Sequence, residues 1–138
     1  MSELARLSFS IEKPLLDRLE RMIAEGNYGN RSEFIRDMIR DRLVAEEWEK
    51  NEEALGTVTI LFEHHSRNLT DKLLELQHDF EGTIMASTHV HLTHHLCAEM
   101  IMVRGRAGQI RALTDALHQL KGVLHATLSM SSTGRALA

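Results

Sequence analysis

The densest group of metal-coordinating side chains lies in the run His-Val-His-Leu-Thr-His-His-Leu-Cys at residues 89–97. Residues two apart on a β-strand point to the same side, so His89 and His91 are expected to project together, about 6–7 Å apart at Cα. That spacing suits one metal ion bound by both rings at about 2 Å. Cys97 follows a connection short enough for the next strand to fold back, and its thiolate could supply a third ligand. His78, at the end of the preceding predicted helix, completes a possible set of three histidines and one cysteine.

Other histidines carry a weaker signal. All nine lie between His64 and His125, and none lies in the first sixty residues. A lone histidine is more often a surface or hydrogen-bonded residue than a ligand, and a free cysteine is often a small buried apolar group. We expect that ordinary role for four histidines: His64, His65, His118 and His125. Three coordinating residues at facing strand positions instead favour a metal site.

The N-terminus has a different pattern, alternating polar and apolar residues from Arg6 to Ile11. This period of two predicts a strand with Arg6, Ser8 and Ser10 on one face. A strand of about six residues needs a partner, and the simplest partner is the same strand of a second copy. Such a two-stranded ribbon fits the DNA major groove, where arginine and hydroxyl groups can contact base edges. The strand pattern alone fits an edge strand with a solvated polar face at least as well.

Two short amphipathic helices are predicted after this strand. Lys13-Pro14 starts the first and Gly26-Asn27 ends it, whereas Asn30 is a good N-cap for the second. The polar continuation at residues 46–53 is expected to be a solvated extension or hinge leading to Gly56.

After Gly56 the periodicity indicates the order β-α-β-β-α-β, the split pattern of ferredoxin-like folds. The strands are predicted near residues 57–62, 82–90, 97–103 and 123–130, with helices from Leu69 to about Gln77 and from Gly105 to Gly122. The chain is therefore expected to be α+β, with one domain over residues 1–50, a second over 51–131 and a flexible tail over 132–138.

Composition excludes several classes of protein. The single cysteine rules out an intrachain disulfide, and neither a membrane span nor a secretory signal is evident, so we expect a cytoplasmic protein. The net charge of -4 is unusual for a DNA-binding protein, but residues 1–44 are neutral, with eight basic and eight acidic side chains. Four protein ligands would leave a metal no open position for substrate, so an enzyme is not expected.

The run Asn30-Arg31-Ser32-Glu33-Phe34-Ile35-Arg36 resembles the start of the second helix in ribbon-helix-helix repressors. The resemblance implies that this helix N-terminus binds a DNA phosphate through backbone N–H groups. It also implies that Arg31 and Ser32 add side-chain contacts.

The whole chain is similar to the nickel-responsive regulator family, NikR. The family pattern H-x(10)-H-x-H-x(5)-C is met by His78, His89, His91 and Cys97. The resemblance implies a ribbon-helix-helix domain joined to an ACT-like domain, in a homotetramer built as a dimer of dimers. It implies one square-planar Ni(II) per subunit, with the first histidine donated by a neighbouring subunit. Nitrogen and sulfur ligands in a plane suit Ni(II) or Cu(II) better than zinc.

The same resemblance implies a potassium site formed by Glu33 and Asp37. Ordinary helix-surface carboxylates are an equally open interpretation, because acidic residues are favoured in early helix turns. The function implied is a repressor, of nickel-uptake genes, that binds double-stranded operator DNA when nickel is bound. The alternative is a metal-independent repressor of the antitoxin kind, whose C-terminal half would bind a protein partner.

Overall fold

The computed structural model describes residues 3–138. The chain divides into two compact units, one comprising residues up to Leu43 with Ala136–Ala138, the other comprising Val44–Arg135. The helices and strands are, in chain order, α1 Lys13–Glu25, α2 Arg31–Glu49, β1 Glu53–Glu63, α3 Leu69–His78, β2 Thr83–His91, β3 Leu96–Arg106, α4 Ala107–Gln119 and β4 Val123–Ser131. Over residues 3–138, no helix has both the length and the apolar character that a membrane crossing requires.

Both predicted helices of the first unit are confirmed. Proline occupies the first turn of α1, and Asn27, with a φ of 57°, follows the helix in the left-handed conformation. The backbone N–H of Glu33 donates to Oδ1 of Asn30 at 2.9 Å, which confirms Asn30 as the cap of α2. Leu19 and Ile23 are the buried residues of α1.

The segment before α1 carries the predicted N-terminal strand, but residues 3–12 form neither helix nor strand in the single chain. Its apolar side chains are exposed, with Leu7 at 82% and Phe9 at 58% of their full accessibility. A strand needs a neighbour for its backbone hydrogen bonds, so one copy of this chain cannot display the ribbon that the alternation predicts.

The expectation of a solvated extension or hinge over residues 46–53 is wrong in its first part, which is buried. The helix continues to Glu49, and Glu47 and Trp48 are buried. The indole N–H of Trp48 donates to the carbonyl oxygen of Ser131 at 2.8 Å, and the guanidinium of Arg111 lies 5.5 Å from the ring centroid. Because the residues around Trp48 are polar, local hydropathy does not indicate that Trp48 is buried against the end of β4.

The second unit is built on a four-stranded antiparallel sheet with strand order β2-β3-β1-β4. The element order β-α-β-β-α-β confirms the predicted ferredoxin-like, ACT-like pattern. Strand β1 begins at Glu53, four residues before the predicted start, after Asn51 turns the chain in the left-handed conformation. The core is formed by alternate residues of the central strands and the buried faces of the helices: Ala54, Val58, Ile60, Phe62, Leu69, Leu73, Ile101, Val103, Ile110, Leu113 and Leu117.

Candidate metal centre

The pairing of β2 with β3 brings two of the predicted ligands together. His91 lies opposite Cys97 in the antiparallel register, and His89 lies opposite Glu99. Cys97 also pairs with Phe62 of β1, so its thiol lies between two neighbouring strands and is fully buried. Strand register therefore places one imidazole beside the only thiol of the chain.

The immediate neighbours of the Cys97 thiol are two imidazole nitrogens. Nδ1 of His91 lies 3.3 Å from Sγ of Cys97, and Nδ1 of His64 lies 3.4 Å from it. The three residues can each offer one ligand atom within 4.8 Å of the others. We call His64, His91 and Cys97 the Cys97 cluster.

This cluster has dimensions that fit a transition metal. An ion bound at about 2.1 Å to nitrogen and about 2.3 Å to sulfur keeps these atoms roughly 3.1–3.6 Å apart for bond angles between a right angle and the tetrahedral value. The observed separations of 3.3 and 3.4 Å fall in that range. Two imidazoles and a thiolate are also the donors that borderline ions such as nickel, copper and zinc prefer.

Although His64 is exposed, partial desolvation by its neighbours lowers its pKa below the ordinary value of 6.5. Repulsion from neighbouring histidines, His65 and His91 foremost among them, lowers the pKa further. Both effects disfavour the protonated ring. The lowered pKa favours the neutral imidazole, the form that can donate a lone pair to a metal.

His89 lies next to the cluster without joining it. Its ring centroid is 5.1 Å from that of His91, and its ring packs edge-on against Phe62 with centroids 5.5 Å apart. His89 also lines a small cavity with Gln77 and Glu99. The aromatic contact holds the imidazole in place near the sheet surface.

His78 is the last residue of α3 and is exposed. Within residues 3–138 its ring is not among the ligand atoms gathered around Cys97. Two members of the Cys97 cluster, His91 and Cys97, were therefore predicted from the sequence, whereas His64 was not. The signal for His64 was its place immediately after a strand that pairs with the strand of Cys97, and that pairing is visible only in the fold.

The residues predicted to contact DNA lie in the first unit. Arg6, Ser8 and Ser10 are exposed in the segment before α1, and Ser32 is exposed in the first turn of α2. Arg31 is paired with Glu20, with its Nε donating to Oε1 at 2.6 Å. An approach of Arg31 to a phosphate would therefore compete with this ion pair.

The two residues expected to hold potassium differ in their surroundings. Asp37 accepts a hydrogen bond from the hydroxyl of Tyr28 at 2.8 Å and pairs with Arg40 at 3.2 Å. Glu33 is exposed in the first turn of α2.

Comparison with known proteins covers both units. Residues 5–46 match the ribbon-helix-helix protein family of the copG type, and residues 55–131 match the NikR C-terminal nickel-binding domain. A protein of Desulfotalea psychrophila named as a nickel-responsive regulator is 45% identical over 97% of this chain and 98% of its own length. A protein of Pyrococcus horikoshii with the same name is 46% identical over 98% of this chain and 99% of its own.

Among solved structures, an uncharacterized protein of Thermotoga maritima superimposes with a TM-score of 0.51 at 20% identity, covering 57% of this chain and 98% of that one. This likeness concerns the fold alone. The family matches extend along nearly the whole chain, and they describe a regulator rather than an enzyme. The chain belongs to the nickel-responsive regulator family, with a ribbon-helix-helix region followed by a nickel-binding C-terminal domain.

Proposed function

We propose that this regulator is a cytoplasmic repressor that binds double-stranded operator DNA when nickel is bound, and that its targets are genes of nickel uptake. The observation that carries the proposal is the buried thiol of Cys97 with imidazole nitrogens at 3.3 and 3.4 Å. A buried cysteine surrounded by nitrogen donors is poorly suited to plain apolar packing and well suited to binding a soft or borderline cation.

The proposed ligands are His89, His91 and Cys97 of one subunit and His78 of the partner subunit, with one nickel ion per subunit. His89 and His91 occupy same-side positions of β2, beside the start of β3. His78 is exposed at the end of α3, where it is accessible to another chain. Bound nickel would supply a cross-link between two subunits, because its ligands come from both.

The proposed assembly is a homotetramer formed from two ribbon-helix-helix dimers. Leu7 and Phe9 are exposed apolar residues in a segment that lacks a pairing partner in one chain. Val90, Met100 and Met102 are likewise exposed on strands of the second unit, at 45, 50 and 40% of their full accessibility. Apolar surface on both units is what contacts with further copies would cover.

The proposed DNA surface consists of Arg6, Ser8 and Ser10 on the ribbon, with Arg31 and Ser32 at the start of α2. The dipole and the first backbone N–H groups of this helix N-terminus attract a phosphate. Glu33 and Asp37 are the proposed potassium ligands, and Asp37 could bind the ion beside Tyr28 and Arg40, because each of its carboxylate oxygens has a further lone pair.

Nickel can favour DNA binding only if it binds the DNA-competent arrangement more tightly than the other arrangements. Such coupling is reciprocal, so DNA must tighten nickel binding by the same factor. An affinity change of about 5–150-fold corresponds to the usual coupling free energy of about 1–3 kcal/mol.

The test is a nickel titration of the full-length protein with and without operator DNA, at one salt concentration. We expect tighter nickel binding in the presence of DNA, and a loss of both nickel binding and nickel-dependent DNA binding in Cys97→Ala. Circular dichroism checks that this variant remains folded. Equal nickel affinities with and without DNA would overturn the coupling, and DNA binding indifferent to nickel would support the antitoxin-type alternative.

A further inference from the structure

Three histidines outside the Cys97 cluster lie together on the surface of the second unit. His65 follows β1, whereas His94 and His95 belong to the connection between β2 and β3. Their ring centroids form a triangle with sides of 5.9 Å for His65 and His94, 5.8 Å for His65 and His95, and 5.0 Å for His94 and His95. All three side chains are exposed. We call these three residues the surface triad.

Backbone contacts hold the two segments of the surface triad side by side. The N–H of His64 donates to the carbonyl oxygen of His95 at 2.7 Å, which ties the turn after β1 to the β2–β3 connection. Within that connection, Oγ1 of Thr93 accepts hydrogen bonds from the N–H groups of His95 at 3.2 Å and Leu96 at 3.1 Å. Backbone hydrogen bonds in these two connections therefore fix the relative positions of the three histidines.

The triangle is close to the size that a shared ion requires, but over residues 3–138 its ring nitrogens are not gathered as closely as the ligand atoms of the Cys97 cluster. A metal bound at about 2.1 Å to an imidazole nitrogen lies roughly 3.2 Å from the ring centre, so three rings at tetrahedral angles have centres about 5.2 Å apart. The observed side of 5.0 Å is slightly shorter than that value, and the sides of 5.8 and 5.9 Å exceed it by less than 1 Å. Exposed imidazoles can close this difference by rotating about their side-chain bonds.

We propose that His65, His94 and His95 form a second metal site, which binds a borderline divalent cation such as Zn²⁺, Cu²⁺ or Ni²⁺ from solvent. Three neutral imidazoles satisfy these ions, and water completes the coordination because the surface triad is open on one side. The site lacks a thiolate, so it binds more weakly than the Cys97 cluster. Ring contacts connect the surface triad to the Cys97 cluster. The ring of His64 contacts both the ring of His65 and that of His91, each with centroids 4.9 Å apart.

The test counts zinc ions bound per chain in the full-length protein by equilibrium dialysis at rising free zinc. We expect two ions for the natural sequence and one for the triple variant His65→Ala, His94→Ala, His95→Ala. The matched control is His118→Ala with His125→Ala, which removes another exposed pair with rings 6.4 Å apart and must leave both ions in place. Single replacements in the surface triad should weaken the second ion by more than the roughly 10–100-fold caused by loss of an outer partner.

Cys97→Ala separates this proposal from the proposed function. The surface triad should still bind one ion in that variant, and Co²⁺ bound there should lack the thiolate charge-transfer absorption that Co²⁺ at Cys97 shows. A natural protein that saturates with one ion would overturn the surface site. A second ion that persists unchanged in the triple variant would overturn it too, since that ion would then be bound elsewhere.

Discussion

At the residue scale, the character of Cys97 depends on what surrounds its sulfur. The thiol is fully buried, yet two ring nitrogens rather than aliphatic carbons lie at hydrogen-bonding distance. A buried thiol in apolar surroundings is inert, whereas a thiol beside two imidazole nitrogens lies within a set of metal-binding donors. His64 is not among the proposed nickel ligands. Its ring nitrogen nevertheless lies beside the sulfur of Cys97, so His64 can orient that ligand.

Replacement of His64 tests that role. His64→Gln should weaken nickel binding roughly 10–100-fold, the usual cost of losing a neighbour that orients a ligand. Chelator competition measures the affinity, and His118→Gln serves as a control on an exposed histidine of α4. Identical affinities in the two variants would show that His64 has no part in the site.

The ion pair between Arg31 and Glu20 leads to a prediction about DNA affinity. Glu20→Gln frees the guanidinium, so DNA binding should tighten by up to about fivefold, since an exposed pair is worth roughly 0.2–1 kcal/mol. Asp17→Asn is the matched control, because it removes one negative charge from the same helix but from the partner of Lys13. DNA titrations at fixed salt compare the two, and equal effects would mean that only the net charge matters.

Arg31→Ala should act in the opposite direction. Loss of a phosphate contact weakens binding to all sequences and lowers the salt dependence by about one unit per contact. A salt series with operator and unrelated DNA measures both effects. Weakening confined to the operator would instead indicate that Arg31 contacts a base.

At the element scale, the candidate site depends on the register in which β3 pairs with β2 and with β1. Register sets His91 against Cys97 and Phe62 against Cys97, and the backbone bond from His64 to His95 secures the same end of the sheet. A slip of one residue would point each of these side chains to the opposite face. Elements that hold this end of the sheet are therefore part of the metal site even without coordinating side chains.

Gly122, between α4 and β4, is such a position. Its φ is 102°, and a Cβ added there would lie 2.3 Å from Oγ of Ser66 in the turn before α3. Gly122→Ala should lower the free energy of unfolding by about 1–3 kcal/mol through backbone strain and this collision. Urea denaturation measures this change in the free energy of unfolding. Gly134→Ala is the control, because Gly134 also has a positive φ, of 82°, but nothing lies within 4 Å of the added carbon; equal midpoints would contradict the steric explanation.

At the scale of the whole molecule, a single chain exposes apolar groups to water, and the proposed homotetramer would cover them. The segment before α1 exposes Leu7, and β2 and β3 expose Val90 and Met100. Burying one such side chain contributes about 1.5–3 kcal/mol, so contacts between copies would be strongly favoured.

Leu7→Asp tests the proposed ribbon. The charge would oppose pairing of two N-terminal segments, so we expect a smaller assembly and loss of DNA binding with or without nickel. Sedimentation and DNA titration measure the two properties. Arg6→Ala is the control, since it should weaken DNA binding while the assembly stays intact. An unchanged assembly in Leu7→Asp would contradict the pairing.

Much of the architecture could be predicted because it depends on local periodicity. The helix repeat and caps of α1 and α2, and the order of elements after Gly56, follow from side chains that neighbour each other along the chain. The spacing of His89, His91 and Cys97 was likewise informative, because alternation within one hairpin controls which side chains share a face.

Only the tertiary structure decided what depends on contacts between distant segments. It buried Trp48 in a stretch that is polar by composition, and it brought His64 to the sulfur of Cys97 from 33 positions away. It also places the break between the two compact units between Leu43 and Val44, inside α2. Pairing register and burial are set by the free energy of the whole fold, which no local pattern in the sequence contains.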